Sequence, residues 1–401
     1  LLEPDETKRA ENFYEYMKLL DIYLNGLGDD GGCDEGPSYW FAAGGSVFDA
    51  LEILQSATNG QIEIYDAPLI QKMASYIYKM HIADDYFVDF ADADPKFKGD
   101  GLMLYRFGKD LKDNTLSQFG LYLYSRHKNA VGEGFQKPRR INDLLTIKEV
   151  QTLNANYTPP AESWFSDIQV LTARTKSRLF LATHGGNNGE SHNHNDVGDF
   201  IVYLDNEPVI IDAGRGNYTA KTFSSHRYEL WFTQSQYHNL PIINGIGQFA
   251  GGNYAAGNVK HSTSDTSVSL AMDISKAYPK EAGIDYWNRT VKLDRTNNKV
   301  EVVDDYSLTN TPASLQQAFM TVCDVDLSKP GRIKLITPEG RMVLLTYDQN
   351  AWTVAIDKPS SEGPEYSSFT QKWNGRPIQR ILLTSRDLRA KNSLQYTIAV
   401  P

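Results

Sequence analysis

The apolar residues of this chain change their spacing near residue 160, and that change constrains the fold more than any other feature. Before it, apolar side chains recur at helical intervals. Phe13, Met17, Leu20 and Leu24 form one such stripe, and Asn25-Gly26 closes it with a pair suited to a helix C-terminus. Phe48, Leu51 and Leu54 share one face of a helix predicted from near Tyr39 to Asn59-Gly60. Leu69, Met73, Ile77 and Met80 line a third, with Asp66 as N-cap and Pro68 in its first turn. Further helices are predicted over 117–127 and 142–153. Short Gly- or Asn-rich loops between them suggest stacked antiparallel hairpins. After Trp164 strands take over. Predicted hairpins surround Asp205-Asn206-Glu207, Asn297-Asn298 and Pro338-Glu339-Gly340. Helices followed by strands predict two domains: a helical one over 1–160 and a large antiparallel β-sandwich over 161–401, divided at 159–161.

Composition narrows the partners. The 401 residues are 41% hydrophobic and 22% charged, the balance of a folded chain. A net charge of −10 argues against a nucleic-acid binder. It leaves room for an anionic sugar in a local basic cleft, because screening limits repulsion to about 10 Å. The 23 tyrosines suit sugar packing and a large β domain equally. Cys33 and Cys323 lack CxxC spacing, so neither a zinc knuckle nor a disulfide framework is indicated, and a single bridge between them stays open. No apolar run is long enough for a membrane-spanning helix. The chain begins at Leu1 without a signal-peptide pattern, which fits a mature form or a chain cut at its N-terminus.

The densest chemical signal is Ser191-His192-Asn193-His194-Asn195-Asp196, which follows the polar, Gly-rich stretch 185–190. On a strand the two histidines would point the same way; on a loop they diverge, one toward a metal and one toward substrate. Asp212 ends a predicted strand, and His238 lies in Tyr237-His238-Asn239. His194, Asp212 and His238 make an N,O,N set suited to zinc, with water as fourth ligand, or are polar residues scattered at strand ends. The HxHxD pattern also resembles the start of a binuclear metallo-hydrolase motif, but Val197 stands where its last histidine belongs. A second signal is Asp30-Gly31-Gly32-Cys33-Asp34-Glu35-Gly36-Pro37-Ser38-Tyr39-Trp40. It presents Tyr39 near a helix N-terminus, where a phenol could be helped to act as a base, or it packs an aromatic loop onto the next helix.

Together with 42–45, 191–218 and 231–245, these segments resemble the heparinase II/III-like polysaccharide lyases, and the wording of 30–40 is most similar to the oligoalginate lyase and heparin/heparan exolyase branch. The resemblance covers essentially the whole chain. It implies an α/α toroid followed by an antiparallel β-sandwich. It implies Tyr39 and His192 as catalytic residues, and a structural zinc held by His194, Asp212 and His238. It places Tyr218, Arg215, Arg227 and Asn193 in stretches that contact substrate. The implied partner is an anionic, uronate-containing glycan outside the cytoplasm, in the periplasm or secreted. β-Elimination needs a base at C5, an acid at O4 and neutralisation of the uronate carboxylate. Family members carry part of this machinery before the catalytic tyrosine, so a C-terminal portion of a larger enzyme is expected here. Its neutralising residue would then lie upstream of Leu1, and apolar helical faces would be left uncovered. The rival readings are a non-catalytic carbohydrate-binding protein and a metal-dependent hydrolase.

Overall fold

The computed structural model describes residues 3–128 and 139–401. They form two units, one helical and one built of strands.

In the helical unit, the helix Glu6–Asn25 is capped by Asp5, whose carboxylate accepts from the backbone of Thr7 and Lys8. It buries none of its residues, and Tyr14, Leu19 and Ile22 are exposed. The helix predicted from Tyr39 is broken: a single turn, Pro37–Trp40, precedes the helix Gly44–Ala57. The helix Gly101–Leu111 has no counterpart in the sequence reading. Asp100 caps it by accepting from Met103 N. It pairs with Asn114–Arg126 at close range. A side chain at Gly120 would lie 2.4 Å from Tyr105 N, and one at Gly108 would lie 2.4 Å from Ser117 N. Neither backbone approach tolerates a Cβ. A polar network braces this unit: Arg106 bonds Glu52 and Asp143, and the buried Arg139 holds Asp49 through two nitrogens.

The strand unit takes residues 160–401 and also Asp34–Gly36 and Met80–Phe97, which the sequence reading gives wholesale to the helical part. The second of these carries a short hairpin, His81–Ala83 with Tyr86–Phe87, whose carbonyls at His81 and Ile82 accept from Arg174. The main sheets have eight, five and four strands, and their pairings are antiparallel throughout. Their inner residues, among them Leu181, Val202, Leu293, Val302, Phe319 and Ile381, meet in one core. Alternating burial along Ile284–Asp294 and Lys299–Leu308 is the period that the sequence shows. Asn298 turns that hairpin with φ 50°, and Asp205 turns another with φ 58°. Within the core, fully buried Arg289 pairs with Asp304 through two nitrogens and donates to the carbonyls of Gly198 and Asn239. Those two carbonyls belong to the loops that carry the site.

Asp110 in the helical unit has its carboxyl pushed up to about 6, by burial first and by Glu52 second. A raised carboxyl favours the folded state while protonated, so its contribution is full below pH about 4 and is lost as pH rises through about 6. Asp110→Asn is expected to raise the melting temperature at pH 8, with the gain shrinking to nothing near pH 4. A difference that stays constant between those pH values would contradict this assignment.

Candidate active site

The strand Leu179–His184 runs out into an irregular loop that returns at Phe200. Such a loop must find partners for its backbone, and this one does so through side chains. Gln248 accepts from Val197 N and donates to Val197 O. Asn188 accepts from Asp196 N, and Thr233 O accepts from Asn195 N. At His192 the backbone is left-handed, with φ 55°. The strand geometry that would align the two histidines is therefore absent.

The imidazoles instead reach the two oxygens of one carboxylate, that of Asp92. His192 Nδ1 is 2.9 Å from Asp92 Oδ2, and His194 Nε2 is 3.1 Å from Asp92 Oδ1. Arg227 Nη2 donates to Oδ1 at 2.8 Å, and the Tyr218 hydroxyl donates to Oδ2 at 3.2 Å. Tyr218 OH is also 3.2 Å from His192 Nδ1. Asp92 is fully buried. Burial opposes its ionisation, but hydrogen bonds from His194 and Arg227 outweigh this and hold the carboxyl below its usual range. The neighbouring Ala93 is gripped closely: its carbonyl would lie 2.9 Å from a Cβ on Gly214, a residue with φ 68°. Asp92 is not marked by the sequence. It stands in an Asp-rich stretch with no motif spacing, and only the fold carries it to His192.

The remaining candidates fall into place around this group. Arg227 spends its donors inside the protein, on Asp92 and on the carbonyls of His192, Asn193 and Thr222. This geometry fits a clamp on the histidine loop better than the substrate contact expected from the sequence. Arg215 bonds Asp94 at 2.8 Å and lies over the Tyr218 ring at 4.8 Å. Lys372 shares Asp94 with it. Asn193 is buried and donates to Tyr228 OH and Asn195. Glu35 Oε1 lies 3.9 Å from His192 Nε2. Tyr39 belongs to the helical unit, where it is half-buried in the turn Pro37–Trp40. That turn has four residues, too few to supply the helix dipole invoked from the sequence.

His194, Asp212 and His238 come together with a fourth donor, Asp196, where the sequence reading invokes water. All four are buried, with one ligand atom from each within 4.8 Å of the others. The donor atoms suit a cation. His194 Nδ1, Asp196 Oδ2, Asp212 Oδ2 and both nitrogens of His238 are buried without a hydrogen-bond partner. His238 Nδ1 and Asp212 Oδ2 are 3.0 Å apart, but not in line for a hydrogen bond. Burial lowers the affinity of His238 for a proton; Asp212 and Asp199 more than offset this and raise its pKa well above the usual value. A divalent ion would replace that proton. Two imidazoles and two carboxylates, all buried, are a donor set that suits zinc. His184 Nε2 lies 3.4 Å from the same Asp196 Oδ2, within ion-pair range but without a hydrogen bond. Cys33 and Cys323 are not joined in a disulfide, so the bridge left open by the sequence is not formed. No described helix is long and apolar enough to cross a membrane.

A family model, heparinase II/III-like, C-terminal, matches residues 162–397. The chain belongs to the heparinase II/III-like family. Among solved structures it is similar to a mutant of the heparan sulfate lyase HepC from Pedobacter heparinus, with TM-score 0.69 and 14% identity over 95% of this chain and 55% of that one. A heparinase III gene product gives TM-score 0.67 at 15% identity, over 95% of this chain and 54% of that one. A further heparinase III structure gives 0.64 at 14%, over 96% and 56%. At these identities the likeness is one of fold. The chain spans about half the length of these structures. No curated protein sequence matches it.

A metal-loaded site predicts stoichiometric zinc by elemental analysis. It also predicts a melting temperature lowered by roughly several degrees on chelation, because an ion that binds only the folded state stabilises it. Absence of stoichiometric metal, with no thermal effect of a chelator, would reduce the site to a polar cluster.

Proposed function

We propose that this chain is part of a polysaccharide lyase that cleaves uronic-acid-containing glycans by β-elimination. The observation that carries the reading is His192. It is a part-exposed imidazole in a family-matching motif, oriented by a buried carboxylate and flanked by the Tyr218 hydroxyl. A neutral imidazole tied through Nδ1 keeps its lone pair on Nε2 and can take up a proton there. Tyr39 is assigned, by its place in the family motif, to removal of the C5 proton, to delivery of a proton to the O4 leaving group, or to both. His192 is assigned, by its own place in the family motif, to proton transfer as well. Of the two guanidiniums expected at substrate, Arg215 has the more open side chain, 26% exposed against 12% for Arg227, and is the better candidate for substrate contact.

Zinc held by His194, Asp196, Asp212 and His238 would supply loop rigidity beside His192. Heparin/heparan-type glycosaminoglycan is preferred over alginate as substrate. The solved structures similar to this fold carry the names heparan sulfate lyase and heparinase III, which is support by analogy. Uronate polymers are met outside the cytoplasm, so a periplasmic or secreted setting goes with this reading. So does an α/α toroid larger than the helices described. Exposed Tyr14, Leu19 and Ile22 on one helix, and Ile141, Leu144 and Leu145 on Arg139–Val150, offer apolar faces for further helices to cover.

One observation favours a second reading, a sugar-binding protein without catalysis. Phe223 is 66% exposed and its ring packs at 5.0 Å from Tyr218, a surface on which a pyranose could stack. Incubation with heparin, heparan sulfate, hyaluronan, chondroitin and alginate oligomers separates the readings. A lyase yields a 4,5-unsaturated product absorbing in the near ultraviolet, and Tyr39→Phe lowers turnover by about 10²-fold or more with the fold retained. Retention on glycan without product would support the binding module, and saturated reducing ends would mean hydrolysis.

A further inference from the structure

We propose that Asp92 is a positioning residue that sets the tautomers of His192 and His194 together, and so ties the proton-transfer histidine to the metal pocket through one carboxylate. Only the turnover arm of its test rests on the lyase reading.

An ionised carboxylate only accepts, and it has room for about four hydrogen bonds. Asp92 has four neighbours at that range: His192 and Tyr218 on Oδ2, His194 and Arg227 on Oδ1. Each must therefore present a hydrogen. For His192 this means a proton on Nδ1, which puts the lone pair of the neutral ring on Nε2. For His194 it means a proton on Nε2, which puts the lone pair on Nδ1. That is the His194 atom buried without a hydrogen-bond partner, in the cluster with Asp196, Asp212 and His238. A metal-bound histidine usually donates its other ring N–H to a carboxylate, which fixes its orientation. Here the same carboxylate also orients a histidine outside that cluster.

The four neighbours are not equivalent, and this makes the test specific. Arg227 can only donate, whereas His192 and Tyr218 can each accept in place of donating. In Asp92→Asn the amide oxygen must stay toward Arg227 and His194, and the NH₂ must turn toward His192 and Tyr218. His194 then keeps its tautomer and the metal pocket keeps its ligand. His192 is driven to accept at Nδ1 and to carry its proton on Nε2, which removes the lone pair needed for proton transfer. Asp92→Ala frees both histidines.

The experiment is ¹⁵N-histidine NMR of the whole protein, with His192 assigned by comparison with His192→Gln, together with Zn²⁺ titration of metal-stripped protein. Wild type is expected to show His192 protonated on Nδ1 and bare of hydrogen on Nε2. Asp92→Asn should reverse that tautomer, hold Zn²⁺ within a few-fold of wild type, and lower kcat by about 10²-fold or more with little change in KM. Asp92→Ala should weaken Zn²⁺ binding by about 10- to 100-fold. The wild-type spectrum needs no variant to fold: a proton on Nε2 and none on Nδ1 in wild type would overturn the proposal. So would Asp92→Asn with an unchanged His192 tautomer, or Asp92→Ala with wild-type Zn²⁺ affinity. A merely structural role would lower stability and activity without moving the tautomer. If no glycan is cleaved, the tautomer and Zn²⁺ arms still decide the matter.

Discussion

A single buried carboxylate holds the site in the strand unit together. Asp92 has no exposure, and four hydrogen-bonding neighbours from three separate stretches of chain converge on it. An unpaired charge there would be costly, and the Arg227 guanidinium makes it tolerable. The same guanidinium reaches back to the carbonyls of His192 and Asn193, so the carboxylate and the loop it orients share one clamp. Removing either side would leave a buried charge without its partner.

Behind that clamp lies a second layer that depends on the sheets. Arg289 is buried in the core, fully bonded, and it fixes the carbonyls of Gly198 and Asn239. Asn239 in turn donates to the carbonyls of Phe200 and Ile211 and accepts from Met320 N. The loops bearing Asp196, Asp212 and His238 are therefore anchored to strand ends through buried polar side chains. Irregular backbone can be buried only on such terms. This is how a rigid antiparallel framework holds several ligand-type residues near one another with no regular structure at the site itself.

Much of this was legible in the sequence, and the misses have physical reasons. Hairpin turns at Asp205 and Asn298 declared themselves because residues that tolerate positive φ sit between alternating apolar runs. The His192–Asp196 segment stood out through its density of chemical groups, and the family resemblance tied it to Asp212 and His238. Asp92 carried no such mark. Its partners are about a hundred positions away, and local spacing cannot report such a pairing. The direction of Arg227 was equally hidden, since an arginine in a site motif reads the same whether it faces substrate or the protein's own carbonyls. The helix Gly101–Leu111 escaped because its glycines lower helix propensity, while the close packing that they permit is a tertiary effect. Apolar spacing runs Tyr39 into one long helix because it cannot see the break at 41–43.

In the proposed β-elimination the uronate C5–H bond is broken while the O4 substituent leaves. A uronate oligomer of the cleaved type, carrying deuterium at C5, tests this directly by mass spectrometry of the products. Elimination predicts that the new non-reducing end is unsaturated and has lost its deuterium to solvent. A saturated product that retains the label and gains the elements of water would contradict it.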